Sequence, residues 1–236
     1  MNQTWSKADL HIHTTHSDGT ASVVALLEHV AVNTDLRVIA ITDHDTIAGA
    51  LEARELAASY GVEVIVGEEV STAEGHLLAL FIEKRLPPRQ PAAETIAAVQ
   101  AQGGLCIAAH PYDWLTPSLG RAGMAERCAG PGYEWPLDGV ESFNAGLWSA
   151  SANARAAAAG ERLGLPLLGG SDSHHLGTVG LGYTLFPGRT AADLRYAIGA
   201  HATRPGGNYW RRLHGIEYVG LWLRDRAVRA LMPLAS

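Results

Sequence analysis

The stretch ADLHIHTTHSDGT, residues 8–20, decides how this chain is read. It sets three histidines and an aspartate into the eight positions 11–18, directly behind a short apolar run. Side chains alternate along an extended strand, so His11 and His13 share one face and both imidazoles can reach the same ion. Asp18 stands before a glycine, a placing that suits a ligand but equally a turn or a helix cap. His16 is left over, facing substrate or solvent.

Outward from this stretch the same pattern recurs. Short apolar runs lie at 8–13, 37–42, 62–67, 76–82, 104–109, 139–143 and 166–169. Between most of them run alanine-rich stretches of helical period, such as SVVALLEHVAVN and SASANARAAAAGERLG, with Gly61, Gly103 and Gly164 placed where helices stop. Alternating strands and helices predict a largely parallel sheet, open or closed into a barrel. The carboxyl ends of parallel strands are where α/β proteins build their sites. Nearly every run here ends in a histidine, aspartate or glutamate, so those groups are expected to converge.

AITDHDT supplies His44, flanked by Asp43 and Asp45, either of which could hold the second nitrogen of a nearby imidazole. EVIVGEEVST offers Glu68 and Glu69, one of them suited to bridge two ions. GHLLALFI puts His76 at a strand start, CIAAHPYDW puts His110 at a strand end, and LLGGSDSHH ends with Asp172 and His174 two residues apart. Six histidines and three carboxylates are too many for one ion. They suit two or three divalent metals with mixed nitrogen and oxygen ligation, which excludes calcium and favours zinc, manganese or iron.

Composition bounds the rest. A chain of 236 residues and 25.0 kDa suits one α/β domain. The net charge of −6 comes from scattered groups without a polybasic tail, which argues against a surface that coats nucleic acid. Cys106 and Cys128 share no CxxC spacing, so neither a zinc knuckle nor a disulfide framework is indicated. No signal-peptide pattern and no apolar run of about 20 residues is present, which reads as a cytoplasmic protein without a membrane span. Lys7 and Lys84 are the two lysines among 18 basic residues, leaving 16 arginines, whose planar fork suits phosphate.

The ordered set DLHIHTTHSDG, AITDHDT, VGEEVST, HLLALF, AHP and GGSDSHH resembles the PHP (polymerase and histidinol phosphatase) superfamily of metal-dependent phosphoesterases. The resemblance runs over residues 8–205. It implies an α/β fold, a distorted seven-stranded (β/α) barrel with a trinuclear metal site at the C-terminal mouth of the strands. It assigns His11, His13, Glu69 and Asp172 to one metal, Asp18, His44 and His174 to a second, and His76 and His110 with a shared Glu69 to a third. Glu69 is chosen over Glu68 because members usually show glycine, any residue, then the ligand glutamate. Members acting on nucleotides often carry a long lid insertion between that glutamate and the AHP histidine, but only 40 residues lie between Glu69 and His110 here.

The activity so implied is hydrolysis of a small phosphomonoester or nucleotide phosphate by a metal-bridging hydroxide, with no side-chain nucleophile. Arg121, His16, His175 and Asn144, each in a loop or beside a ligand position, are the candidate substrate contacts. A nuclease acting on oligonucleotide ends and a metal-bound regulatory or scaffold module without turnover are the alternatives. Amidohydrolases also use an HxH strand in a barrel, but they characteristically add a carboxylated lysine, and neither lysine here ends a strand. Residues 1–205 form the barrel domain on this reading. Residues 206–236 are an extension, predicted helical from IEYVGLWLRDRAVRAL, with apolar residues at 216, 219, 222 and 223 and basic ones at 224, 226 and 229. It is expected to close the barrel or to pair in a homodimer, with nucleic-acid or membrane-surface contact as lesser alternatives.

Overall fold

The computed structural model describes residues 4–128, 134–147 and 149–231, without the side chains of 212, 222 and 225–231. The basic positions 226 and 229 and the apolar position 222 therefore lie outside the described side chains. Six of the seven apolar runs form strands near their expected bounds, the first overlaps β1 only at residues 8 and 9 so that His11 and His13 lie just beyond it, and two more strands follow. The strands are β1 (Trp5–Asp9), β2 (Leu36–Ile41), β3 (Glu63–Ser71), β4 (His76–Leu80), β5 (Leu105–Ala108), β6 (Gly139–Asn144), β7 (Leu167–Gly170), β8 (Gly182–Pro187) and β9 (Arg204–Gly207). The helices are α1 (Val23–Asn33), α2 (Ala48–Leu56), α3 (Ala92–Ala101), the single turn α4 (Met124–Arg127), α5 (Ala150–Leu163), α6 (Ala191–Gly199) and α7 (Arg212–Leu231). The expected seven strands are thus corrected to nine in one sheet, ordered β7-β6-β5-β4-β3-β2-β1-β8-β9.

Helix ends follow the local chemistry. Ser22 caps α1 by accepting from the Ala25 amide, and Thr190 and Asp193 form a capping box on α6. Gly61 ends the 3-10 turn after α2, and Gly164 ends α5, both in the left-handed conformation that a glycine adopts without strain.

Direction matters most for the site. β1, β2 and β3 run parallel, as do β5, β6 and β7. Between them β4 is antiparallel to both neighbours. The C-terminal ends of six strands therefore share one mouth, and the reversed β4 delivers its first residue, His76, to the same end. The sheet curls until the chain beyond β7 meets the chain beyond β1. Ile12 and Ser173 form a parallel bridge there, with the His13 amide donating to the Ser173 carbonyl at 2.9 Å.

Two apolar clusters sit on opposite faces of the sheet. Ile39, Ile41, Leu77 and Ala79 pack outward against α1, α2, α3 and α5. Val38, Ala40, Leu78, Leu80 and Phe186 pack inward, with Leu194, Ala197 and Ile198 of α6. The Ala191 amide at the start of α6 donates to Glu63 at the beginning of β3, 2.6 Å away, so α6 plugs the barrel end opposite the mouth.

The extension differs in part from expectation. The sheet continues past residue 205, because β9 pairs with β8 through Gly207. The helix α7 forms, and it meets the barrel through Tyr218, whose hydroxyl donates to the Asp18 carbonyl at 3.4 Å. Leu213, Ile216, Val219 and Leu223 remain exposed. Among the described residues no helix is long and apolar enough to cross a membrane.

β7 and β8 approach closely because both are glycine-rich where they meet. A Cβ on Gly182 would stand 2.0 Å from the Gly170 carbonyl oxygen, a backbone atom that cannot swing away. Gly182→Ala is therefore expected to cost about 1–3 kcal/mol or more. Gly199, at the end of α6, has nothing within 4 Å of such an atom. Gly199→Ala should gain about 0.5–1 kcal/mol. Denaturant midpoints at unchanged slope measure both, and a neutral Gly182→Ala would contradict the closure.

Candidate metal centre

The mouth gathers all nine groups predicted as ligands, and Glu69 is at its centre. The Glu69 carboxylate, 1 % exposed, lies 2.8 Å from His76 Nδ1, 2.9 Å from His110 Nε2, 3.0 Å from His11 Nε2, 3.2 Å from His13 Nε2 and 3.4 Å from His44 Nδ1. Asp172 Oδ1 stands 3.3 Å from His13 Nε2 and 3.5 Å from His11 Nε2. At the rim, Asp18 Oδ2 is 3.3 Å from His174 Nε2 and 3.9 Å from His44 Nε2. Glu68 points the other way, as alternation along β3 requires, and accepts from the Leu86 amide at 2.9 Å. Burial raises its carboxyl to about 7.

Donor atoms within 4.8 Å of one another fall into four overlapping groups: His13, Asp18, His44 and His174; His11, Glu69 and His110; His11, His13 and Asp172; His44, Glu69 and His76. The grouping differs from the expected partition in several respects, among them that His44 also falls with Glu69 and His76. His13 also joins the Asp18 group, and His110 falls with His11, because both imidazoles reach the same buried carboxylate.

Five residues that the sequence did not single out as ligands hold the cage and its loops in shape. Glu141, inside β6, accepts from His11 Nδ1 at 3.0 Å and from the His110 amide at 2.8 Å. Thr116 hydroxyl and His110 Nδ1 are 3.2 Å apart. Asp9 accepts the backbone amides of Ser171 and Gly180, tying the end of β1 to the return from β7. Burial raises the Asp9 carboxyl to about 6 against the pull of those amides. Asp43 accepts from the amide and hydroxyl of Thr14 and from the Ser17 hydroxyl, each at 2.7 Å. Asp45 accepts from the Ser71 amide. Neither Asp43 nor Asp45 holds an imidazole, so that expectation is corrected: both brace loops, and Glu141 does the work foreseen for them. Burial along GVESFN does not alternate, so no local pattern marked Glu141.

The backbone is strained at two of the ligand positions. His110 has φ of 27° and Asp172 φ of 52°, left-handed conformations that cost a side-chain-bearing residue on the order of 1 kcal/mol each. The Ser118 hydroxyl donates to the His110 carbonyl at 3.1 Å, and the Asn144 amide nitrogen donates to Asp172 Oδ2 at 3.0 Å.

The four expected substrate contacts are placed as follows. Asn144 is fully buried and spends its amide on Asp172 and Glu141. It is corrected from a substrate contact to a brace. His16 Nε2 pairs with Glu52 at 2.8 Å, away from the cage, because Glu52 on α2 meets it there. Arg121 is exposed and its guanidinium donates to the Trp114 carbonyl. His175 is buried, with neither ring nitrogen hydrogen-bonded, beside the rings of Trp210 and His214.

Metal ligation fits the donor set. Both ring nitrogens of buried His13 and Asp18 Oδ1 lack hydrogen-bond partners, although carboxylates stand nearby. A buried polar atom in that state carries a penalty that a cation removes. Electrostatics agrees. Burial would push the His13 imidazole down, but Asp172 and Glu69 override it and raise it to about 10. Burial opposes ionisation of Glu69 too, yet His11, His44 and His76 hold its carboxyl well below the usual range.

Comparison with known proteins agrees with this geometry. A family model described as PHP domain matches residues 9–138, and one described as PHP-associated matches residues 150–203. An uncharacterized protein of Methanocaldococcus jannaschii is 39% identical over 150 residues, 59% of this chain and 82% of that one. A 5'-3' exoribonuclease of Haemophilus influenzae is 45% identical over 85 residues, 34% of this chain and 31% of its own length. A two-domain protein of Bacteroides vulgatus, described as containing a predicted PHP-like metal-dependent phosphoesterase, has the same fold. Its crystal structure superposes with a TM-score of 0.70 at 19% identity, covering 94% of this chain and 70% of that one.

Two outcomes test the centre. A ligating imidazole is neutral, so loading must displace the proton that His13 holds at neutral pH. Binding of Mn²⁺ or Zn²⁺ is expected to release protons and to weaken as pH falls. Calorimetry in two buffers of different ionisation enthalpy counts the release, and a count of zero would contradict ligation. Glu141→Gln should lower metal affinity about 10–100-fold, since outer partners of ligating histidines contribute that much. Chelator competition reads it, and unchanged affinity would remove Glu141 from the account.

Proposed function

This chain belongs to the PHP domain family, whose model matches residues 9–138, and from that premise we propose that it is a metal-dependent phosphoesterase acting on a small phosphomonoester. The observation that carries the proposal is the crowding of five imidazoles onto the one buried Glu69 carboxylate at the mouth of the barrel. His11, His13, Asp18, His44, Glu69, His76, His110, Asp172 and His174 would hold two or three divalent ions, of which zinc, manganese and iron suit the mixed donors. Ions held there supply water activation near neutral pH and neutralise charge on phosphoryl oxygens.

The chain's own groups prepare that chemistry. Glu141 fixes the tautomer and orientation of His11, so that Nε2 faces the cage. Asn144 pins one oxygen of Asp172 and leaves Oδ1 turned toward His11 and His13. The buried floor keeps water from His11 and Glu69, while Asp18 and His44 at the rim are partly exposed. A substrate phosphate is therefore expected to enter over Asp18 and His44. No serine or cysteine nucleophile is needed.

A second reading, hydrolysis at oligonucleotide ends, is supported by the identity to the exoribonuclease over 85 residues. The two differ in product. Protein loaded with Mn²⁺ is expected to release inorganic phosphate from a panel of small phosphomonoesters. His11→Ala should lower the rate by more than about a hundredfold, since even an outer partner contributes up to that much. Stepwise shortening of end-labelled strands without phosphate release from small esters would favour the second reading. No turnover on either panel at full metal loading would overturn both and leave a regulatory or scaffold role.

A further inference from the structure

The helix α7 has two faces of different character. Tyr218 and His214 meet the barrel: the Tyr218 ring lies 5.2 Å from that of His174, and the His214 ring 6.1 Å from that of His175. Leu213, Ile216, Val219 and Leu223 recur every three or four residues and line the opposite side of the helix. Leu213 is 72 % exposed and Ile216 69 %, and Val219 and Leu223 are more than half exposed, so none of the four is used as core. Single exposed apolar residues are ordinary, but four in register form a continuous stripe, and such stripes mark contact surfaces. A helix in water owes most of its stability to the packing of its apolar face. No part of the described chain supplies that packing here.

The charges beside the stripe indicate what does. Glu217 and Arg224, both exposed, are seven residues apart, which places them about two turns from each other along one edge of it. The ion pairs that arginine and lysine make among the described residues are Lys7–Asp35, Arg54–Glu83 and Arg127–Glu134, and neither Glu217 nor Arg224 takes part. Two identical helices laid antiparallel about a two-fold axis bring the same edge of each together, and residues equidistant from the axis face one another. An axis midway between 217 and 224 sets Glu217 of each copy against Arg224 of the partner subunit, so the pair forms twice. Parallel helices would bring unlike edges together and separate these two charges.

That axis passes beside Gly220. The residue is exposed, and a Cβ there would meet nothing within 4 Å. A glycine weakens a helix interior, but where two helices cross it lets the backbones come close. An anionic membrane surface, the other common partner of an apolar stripe, would be repelled by Glu217 at the stripe's edge.

We propose that α7 is the contact helix of a homodimer, packed antiparallel on α7 of a second copy through Leu213, Ile216, Val219 and Leu223, with Glu217–Arg224 pairs along one edge. The contact is self-complementary and closes at two copies. It does not depend on which ester the barrel cleaves.

Sedimentation equilibrium of the full chain over a range of concentrations reads the pairing. A reversible monomer–dimer equilibrium is expected. Ile216→Lys and Leu223→Lys, at positions the barrel does not bury, should leave monomer with the circular dichroism of a folded chain. Glu217→Arg and Arg224→Glu should each raise the dimer Kd about tenfold, because each turns two attractive pairs into two repulsive ones. The chain carrying both reversals should recover most of the loss, since opposite charges meet again. Monomer at every concentration, or a dimer that survives Ile216→Lys and Leu223→Lys together, would overturn the proposal. Double reversal that fails to restore the dimer would overturn the antiparallel arrangement. A monomer that binds vesicles of anionic phospholipid, and loses them in Ile216→Lys, would replace the second copy by a membrane surface.

Discussion

Glu69 is a carboxylate without access to water, and everything at the mouth is arranged around that fact. Burying an anion costs several kcal/mol unless opposite charge or donors compensate. Five imidazoles from the ends of β1, β2 and β5 and the start of β4 crowd it instead. Each of these is itself costly to bury in charged form. A metal-bound ring is neutral, with one lone pair for the ion and one N–H to place, and neither nitrogen of His13 has a hydrogen-bond partner in the protein. Divalent cations remove both difficulties at once, by neutralising the carboxylates and accepting the lone pairs. The cage is consistent as a metal site and poorly consistent as a dry ion-pair network.

The topology serves this constraint. A barrel of uniformly parallel strands would put only strand ends at the mouth, and an imidazole at a strand start would face the opposite end. Reversing β4 alone lets the short turn after Ser71 bring His76 beside Glu69, with Ser71 and His76 paired across the hairpin. The left-handed backbone at His110 and Asp172 has a similar origin. Each residue lies two positions beyond a strand, where the chain is already turning away, and Ser118 and Asn144 hold the two bends.

Much of this was legible in the sequence, and the gaps have physical causes. The HxH spacing, the strand-end acids and the stopping glycines are local signals, readable because strand and helix periods fix which side chains share a face. The strand β8 alternates in burial, but its run GYTLFP is short and ends in proline. The strand β9 is RPGG, with no strand propensity at all, and exists because β8 needs a partner and glycine allows close approach. Glu141 and Asn144 were hidden for a different reason. Their role is set by residues about 130 and 28 positions away, and no local pattern separates a buried brace from a substrate contact. The choice of Glu69 over Glu68 came from family resemblance, and strand alternation supplies its mechanism: neighbouring residues face opposite sides, and only one side opens on the cage.

The segment after β9 shows how a shared fold can acquire an individual rim. The cage residues lie within the family-matched stretches, where any change disturbs several imidazoles at once. The loop after β6 and the chain from Asn208 to Tyr218 answer to no such constraint. Trp210 and Tyr218 nevertheless both pack edge-on against His174. Their hydrogen bonds end on the backbone carbonyls of Ser171 and Asp18, next to or at cage residues. These two side chains fasten the segment to backbone carbonyls and leave every ligand side chain free of hydrogen bonds to it. The fixed floor can thus keep its arrangement while the segment above it is free to change.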